Sequence, residues 1–222
     1  MSASVQVGIV GGTGPAGRAL AARLAAAGVA VTIGSRSAER AQEVCNGIAE
    51  RWPDLALALH PAVNSEAADA PLVVLATVWD AAAATAEELA ERLSGKVVIS
   101  MGNALAMVDG ELRPVDVPAG SVAAAVQQAA PGALVAAAFQ HLPARSLADL
   151  SRPAEGDVLI CSDDQEAAGA TAELVRRMPD LRPVHAGSLA AAGAVEAFTA
   201  VLLGINKRYK GRSSIRLMGL DL

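Results

Sequence analysis

The chain has 222 residues, enough for one large domain or a domain with a small companion, and its 53% apolar and 18% charged residues mark a folded globular protein. With 2% aromatic residues and a formal net charge of −5, it lacks the stacking side chains and basic surface of a nucleic-acid binder. Two cysteines, Cys45 and Cys161, lie far apart in no metal-type spacing; they read as small buried residues of a reducing compartment, and no metal site is expected.

Residues 5–10 form an apolar β-type run that already belongs to the fold, so no cleavable leader is expected ahead of it. Gly12, Gly14 and Gly17 follow at the spacing G-x-G-x-x-G, with Thr13, Pro15 and Ala16 between them. A helix-like segment comes next, with Leu20, Leu24 and Ala27 on one face, and then a second apolar run over residues 29–33. Strand, glycine turn, helix and strand in that order are the context a dinucleotide-binding fingerprint needs. Gly12 is expected to permit the tight turn, Gly14 to let the pyrophosphate approach the backbone, and Gly17 to let the helix pack on the strand. The diphosphate would then sit on free N–H groups at the helix N-terminus, where the helix dipole favours an anion.

The second run leads into Gly34-Ser35-Arg36-Ser37, with Arg40 one turn later. NAD-binding folds place a carboxylate here to hold the ribose 2′-hydroxyl. An arginine with two hydroxyls suits a 2′-phosphate instead, because guanidinium makes paired charge-assisted hydrogen bonds to phosphate oxygens. NADP is therefore expected over NAD. The competing reading makes Arg36 and Arg40 surface residues of the next helix.

That helix carries Ala41, Val44 and Ile48 at helical spacing and stops before Pro53. Residues 55–59 read as a strand with His60 at its end, and residues 64–70 as a short helix. Residues 72–76 are continuously apolar, as in a strand buried on both faces of a parallel sheet. Thr77, Val78 and Trp79 follow at what would be the ligand crevice. Trp79 packs either beside the cofactor or as a cap on the next helix, read over residues 81–93. Residues 96–100 form a further strand running into Met101-Gly102-Asn103, again at the crevice edge.

Asp109-Gly110 marks a tight turn, and the stretch to Pro118 reads as a loop. Ser121 caps a helix to residue 130; residues 134–139 form a strand ending in Gln140-His141-Leu142-Pro143-Ala144-Arg145. A polar connection spans residues 146–157, then a strand over 158–161. Ser162-Asp163-Asp164 caps a helix to residue 178, a better use of the acid pair than metal binding, since no further ligands lie nearby. A strand over 181–185 precedes the last helix, where Val195, Phe198, Leu202 and Ile205 share one stripe that suits core or a subunit interface. Its apolar stretch, residues 189–205, is short of a membrane span and contains Glu196, so no membrane partner and a cytoplasmic location are expected. Lys207, Arg208, Lys210, Arg212 and Arg216 make the tail basic. The expected fold class is α/β: a Rossmann-type doubly wound parallel sheet over residues 1–145, with a small C-terminal α/β portion over 146–222.

With these pieces placed, the chain resembles the NADPH-dependent reductases of the deazaflavin coenzyme F420. The resemblance rests on Gly11-Gly12-Thr13-Gly14, Gly34-Ser35-Arg36, Trp79, Leu142-Pro143-Ala144-Arg145, Cys161-Ser162-Asp163-Asp164, and Leu181-Arg182-Pro183 followed by Ala186-Gly187. It implies an oxidoreductase that moves a hydride between NADP(H) and the deazaflavin coenzyme F420. It also implies an N-terminal NADP domain, a small C-terminal portion closing the deazaflavin cleft, and a homodimer. Carried onto this chain, the cofactor-binding set is Gly12, Thr13, Gly14, Pro15, Ala16, Gly17, Ser35, Arg36, Arg40, Thr77, Val78, Trp79 and Ala144. Met101, Asn103, Gln140, His141, Pro143 and Lys207 fall to the deazaflavin side. Gln140 departs from the histidine common in the family, with His141 next to it.

No acid–base constellation accompanies these residues, and a hydride step between two cofactors needs none, so no catalytic side chain is assigned. His141 suits a pocket-lining group better than a proton donor. Two other functions share the sequence features. One is an NADPH reductase of a cyclic imine or of ferric iron, although the C-terminal part is short for a helical substrate domain. The other is a non-catalytic NADP(H)-sensing module, which turnover with any hydride acceptor would discriminate. The basic tail either attracts the anionic deazaflavin side chain or is simply solvated.

Overall fold

In β1 (Gln6–Val10) the residues Val7, Ile9 and Val10 are fully buried, and this strand lies in the interior of the sheet. The computed structural model describes residues 5–220, and the expectation about a leader lies outside the described residues. From β1 the chain runs through α1 (Pro15–Ala26), β2 (Ala30–Ser35), α2 (Ala38–Arg51) and β3 (Leu59–Val63), each strand parallel to the one before. It then crosses over by α3 (Asn64–Ala67) to β4 (Leu72–Leu75), on the other side of β1. α4 (Trp79–Glu88) and α5 (Ala90–Leu93) lead to β5 (Val97–Ser100), and α6 (Val122–Ala129) to β8 (Leu134–Ala137). The chain therefore leaves β1 in one direction along the sheet and β4 in the other. In such sheets the ligand crevice lies beyond the C-terminal ends of the two strands where the direction switches.

The sheet has eight strands in the order β10-β9-β8-β5-β4-β1-β2-β3. Here β9 (Gly156–Ser162) and β10 (Leu181–Gly187) are joined by α8 (Gln165–Arg176). They are parallel to each other, but β9 runs antiparallel to β8, pairing Ala137 with Cys161. Residues 146–220 thus extend the one sheet, and no separate sheet is formed by them among the described residues. One face is covered by α1, α2 and α8 through Leu20, Leu24, Ile48 and Leu174. The other is covered by α3, α4, α6 and α9 (Ala192–Tyr209) through Ala67, Ala82, Val126 and Val195.

Several boundaries differ from the sequence reading. The third strand covers residues 59–63, not 55–59, so His60 lies inside it; Pro61 is tolerated because β3 is a sheet edge, where a missing N–H leaves no ladder bond unmade. The helix read over 81–93 begins at Trp79 and is broken at Leu89. The supposed loop to Pro118 contains a hairpin, β6 (Leu105–Val108) and β7 (Glu111–Pro114), turned by Asp109 and Gly110 at φ of 52° and 80°. The connection after residue 145 begins with a short helix, α7 (Ala144–Leu147). The last helical segment runs Leu189–Tyr209, so 21 residues are long and apolar enough to cross a membrane, contrary to the length argument. Within the fold its Glu196 is buried, and the carboxylate accepts hydrogen bonds from the Val122 and Ala123 N–H groups, capping α6 beside Ser121.

Candidate active site

The turn after β1 is built by close approach. Positive φ falls at Gly11, at 70°, and not at Gly12, where the tight turn was expected. Gly12 is needed for space: a Cβ there would lie 2.8 Å from the Ile9 carbonyl oxygen. A Cβ at Gly17 would lie 2.8 Å from Gly12 Cα, so the third glycine seats α1 on the turn as expected. Gly14 is different. Its backbone is extended at φ −69°, and an added Cβ would meet nothing closer than 3.8 Å. The first turn of α1 has no side-chain cap and Pro15 contributes no N–H, so the N–H groups of Ala16 and Gly17 have no intrahelical acceptor. Uncapped donors, the positive end of a twelve-residue helix and room at Gly14 fit a diphosphate.

Asn64 holds this turn from the far side of β2: its Oδ1 accepts from the Gly11 N–H at 3.0 Å. Sequence reading missed it, because nothing local marks an asparagine 53 residues away as part of the turn. At the end of β2, Ser35 is buried while Arg36 and Arg40 are exposed, and neither arginine meets a carboxylate among the described residues. Unpaired guanidinium groups beside a buried hydroxyl can take a phosphate.

The ends of β4, β5 and β8 form the opposite wall. Thr77 Oγ1, Asn103 Oδ1 and both amide atoms of Gln140 are buried without a hydrogen-bond partner. Asn103 Nδ2 donates to the Gln140 carbonyl at 2.9 Å, and Phe139 before it holds φ at 68°, a left-handed backbone unusual for an aromatic residue. Orphaned polar atoms and backbone strain at one strand end suit a ligand that supplies the missing partners. Not every expected residue joins them. Met101 is buried in the core beneath the sheet end, Val78 is exposed, and Trp79 packs half-buried against the α4–α6 side. Pro143 caps α7.

His141 is buried, with Nε2 2.8 Å from the Asp157 carbonyl. A carbonyl only accepts, so the proton sits on Nε2, and Nδ1 is unpartnered. Burial pushes its pKa below the ordinary value, more than the Asp157 contacts raise it. The unfolded chain takes up a proton as pH falls through about 6.5 and the folded one does not until lower, so this part of the stability is present above that pH and lost on acidification. Thermal midpoints should therefore fall between pH 7 and 5, and His141→Gln should flatten that slope; an equal slope in both proteins contradicts the assignment.

Thr13, Pro15, Arg40 and Ala144 come together along one groove of about 770 Å³ between α1, α2 and α7. The basic tail is scattered. Lys207 Nζ donates to the Gly110 carbonyl and lines a second cavity, of about 790 Å³, between α9 and the β6–β7 hairpin. Arg212 donates to Asp149 and enters the first groove. The pairing expected of Lys207 with the crevice residues has no contact to support it among the described residues.

The family model described as NADP oxidoreductase, coenzyme F420-dependent, matches residues 6–104. An F420-dependent NADP reductase from Methanocaldococcus jannaschii is 33% identical over 98% of this chain and 100% of its own length. One from Methanothermobacter marburgensis is 35% identical over 97% and 99%. A solved chain from Arthrobacter sp. FB24 superposes with a TM-score of 0.80 over 98% of this chain and 99% of that one, at 24% identity, a likeness of fold.

Proposed function

The chain belongs to the family of F420-dependent NADP reductases, and on that premise we propose that it transfers a hydride between NADP(H) and the deazaflavin coenzyme F420 across the crevice beyond β1 and β4. The match at 33% identity over nearly the whole of both chains carries this reading. When bound, the nicotinamide and the deazaflavin supply the hydride chemistry themselves. The protein's part is to bind, orient and exclude water. The α1 N-terminus and Gly14 receive the diphosphate; Ser35, Arg36 and Arg40 hold the 2′-phosphate. Thr77, Asn103 and Gln140 offer donors and acceptors to the ring edges. Mixing NADPH with the oxidised deazaflavin should bleach its visible absorbance catalytically, and no bleaching would leave the sensing module as the better reading.

The 2′-phosphate assignment has its own test. Arg36→Ala should weaken NADPH binding by about 1.5–3 kcal/mol, the range for a hydrogen bond to a charged group, and leave NADH nearly unaffected. Equal losses for both cofactors in a titration would remove Arg36 from the site.

The segment 146–222 is read as the part that closes the deazaflavin cleft and joins two copies. Val201 (53% exposed), Ile205 and Tyr209 (75% exposed) share one side of α9, and together with Leu203 and with Leu112 of the hairpin they wall the 790 Å³ cavity. An apolar face of this kind suits a homodimer more than solvent or lipid. The unpaired buried Cys45 and Cys161 fit a cytoplasmic protein. Val201→Glu should shift sedimentation from dimer to monomer, and a wild-type monomer at micromolar concentration contradicts this part of the account.

A further inference from the structure

The groove between α1, α2 and α7 gathers positive charge that the dinucleotide does not explain. Five arginines line it, Arg18, Arg40, Arg51, Arg145 and Arg212, against one acid, Glu43. They come from three helices and the C-terminal tail, in a protein of net charge −5. Among the described residues only Arg212 has a carboxylate within ion-pair distance, Asp149 at 2.9 Å. Gathering unpaired cations in one groove raises their mutual repulsion, which an anionic ligand would relieve.

Position separates this charge from the cofactor's phosphates. Arg40 stands in the first turn of α2 and Arg51 ends that helix. Eleven residues at 1.5 Å each put about 16 Å between them along the axis. A phosphate held at Ser35 and Arg40 is out of reach of Arg51, whose guanidinium lies over the Trp52 ring, 5.4 Å from its centroid. Thr13 and Pro15, in the turn that follows β1, and Ala144, at the start of α7, line one end of the groove. A length of about 16 Å holds four to five residues of extended chain.

We propose that the groove walled by Arg18, Arg51, Arg145 and Arg212 is a second anion subsite, which takes a flexible chain bearing several carboxylates. Two sources of that chemistry exist: the acidic side chain of the deazaflavin, entering past Ala144, or a free polycarboxylate. Only the first source rests on the proposed reaction.

Tetraglutamate is the probe, titrated calorimetrically at low salt into the wild-type protein and into the double variant Arg18→Gln/Arg51→Gln, whose side chains make no ion pair to lose. Binding should weaken about three- to tenfold in the variant, as expected for two screened contacts, and fade with added salt. With the deazaflavin source, the variant's KM rises by the same factor for deazaflavin carrying its acidic side chain, and is unchanged for the tail-less ring compound and for NADPH. With the free source, tetraglutamate binding weakens and both deazaflavin KM values stay put. Equal tetraglutamate binding in wild type and variant overturns the subsite. So does an equal loss for NADPH, which would return the groove to the dinucleotide. A wild-type protein that reduces no deazaflavin refutes the proposed reaction alone, because the tetraglutamate titration still decides the subsite.

Discussion

Gly14→Val should leave the protein folded and without measurable affinity for NADPH or NADH. Both halves of that expectation follow from space. A Cβ at Gly14 would meet nothing closer than the Gly11 carbonyl oxygen at 3.8 Å, and its φ of −69° is ordinary for any residue, so valine is expected to be accepted by the fold. On the proposed reading the same space is where the diphosphate approaches the start of α1, and two added methyl groups would close it. Gly12→Val and Gly17→Val make the contrast. Their Cβ atoms would press on backbone at 2.8 Å, so those variants should lose stability before they lose binding. Circular dichroism and calorimetry on the three variants separate the outcomes. Near-native NADPH affinity in Gly14→Val would move the cofactor elsewhere.

Arg23→Met should destabilise the protein by about 2–4 kcal/mol, with little of that due to packing. Arg23 is buried in α1, and its guanidinium donates to four backbone carbonyls: Leu147 at 3.1 Å, Arg152 at 3.0 Å, Ser146 at 2.8 Å and Asp149 at 2.6 Å. Methionine keeps the apolar stem but leaves those carbonyls without their charged donor. The segment they belong to follows Ala144 directly, so its loosening should also raise KM for NADPH. Denaturant midpoints would check this, and a change within about 0.5 kcal/mol, the range of a surface substitution, would show that α7 is held by other means.

The parts of the molecule legible in its sequence are those whose cause is local. The spacing of Gly12, Gly14 and Gly17 between two apolar runs locates the turn because strand, turn and helix adjoin in the chain. Ser35 and Arg36 are likewise local, fixed to the end of β2 by where the apolar run stops. Distance in sequence hides the rest. Arg23 reads as one basic residue of a helix, because its acceptors lie 123 to 129 residues away. That β9 joins the same sheet as β1 depends on Ala137 pairing antiparallel with Cys161, which no periodicity in either strand encodes. The sequence places the third strand at residues 55–59, whereas it runs Leu59–Val63 with Pro61 inside it, because edge position is a property of the whole sheet. The five-arginine groove was split the same way: the run of cations in the tail stood out, yet only Arg212 of that run reaches the others.

Direct hydride transfer between the two cofactors is open to an isotope test that assumes nothing about which residues take part. The protein is given NADPH carrying deuterium at both C4 positions and oxidised deazaflavin in ordinary water, and the reduced deazaflavin is weighed by mass spectrometry. One deuterium gained at C5 is the predicted result. Reduced deazaflavin carrying only protium from the solvent would contradict direct transfer, and with it the placement of both rings in one crevice.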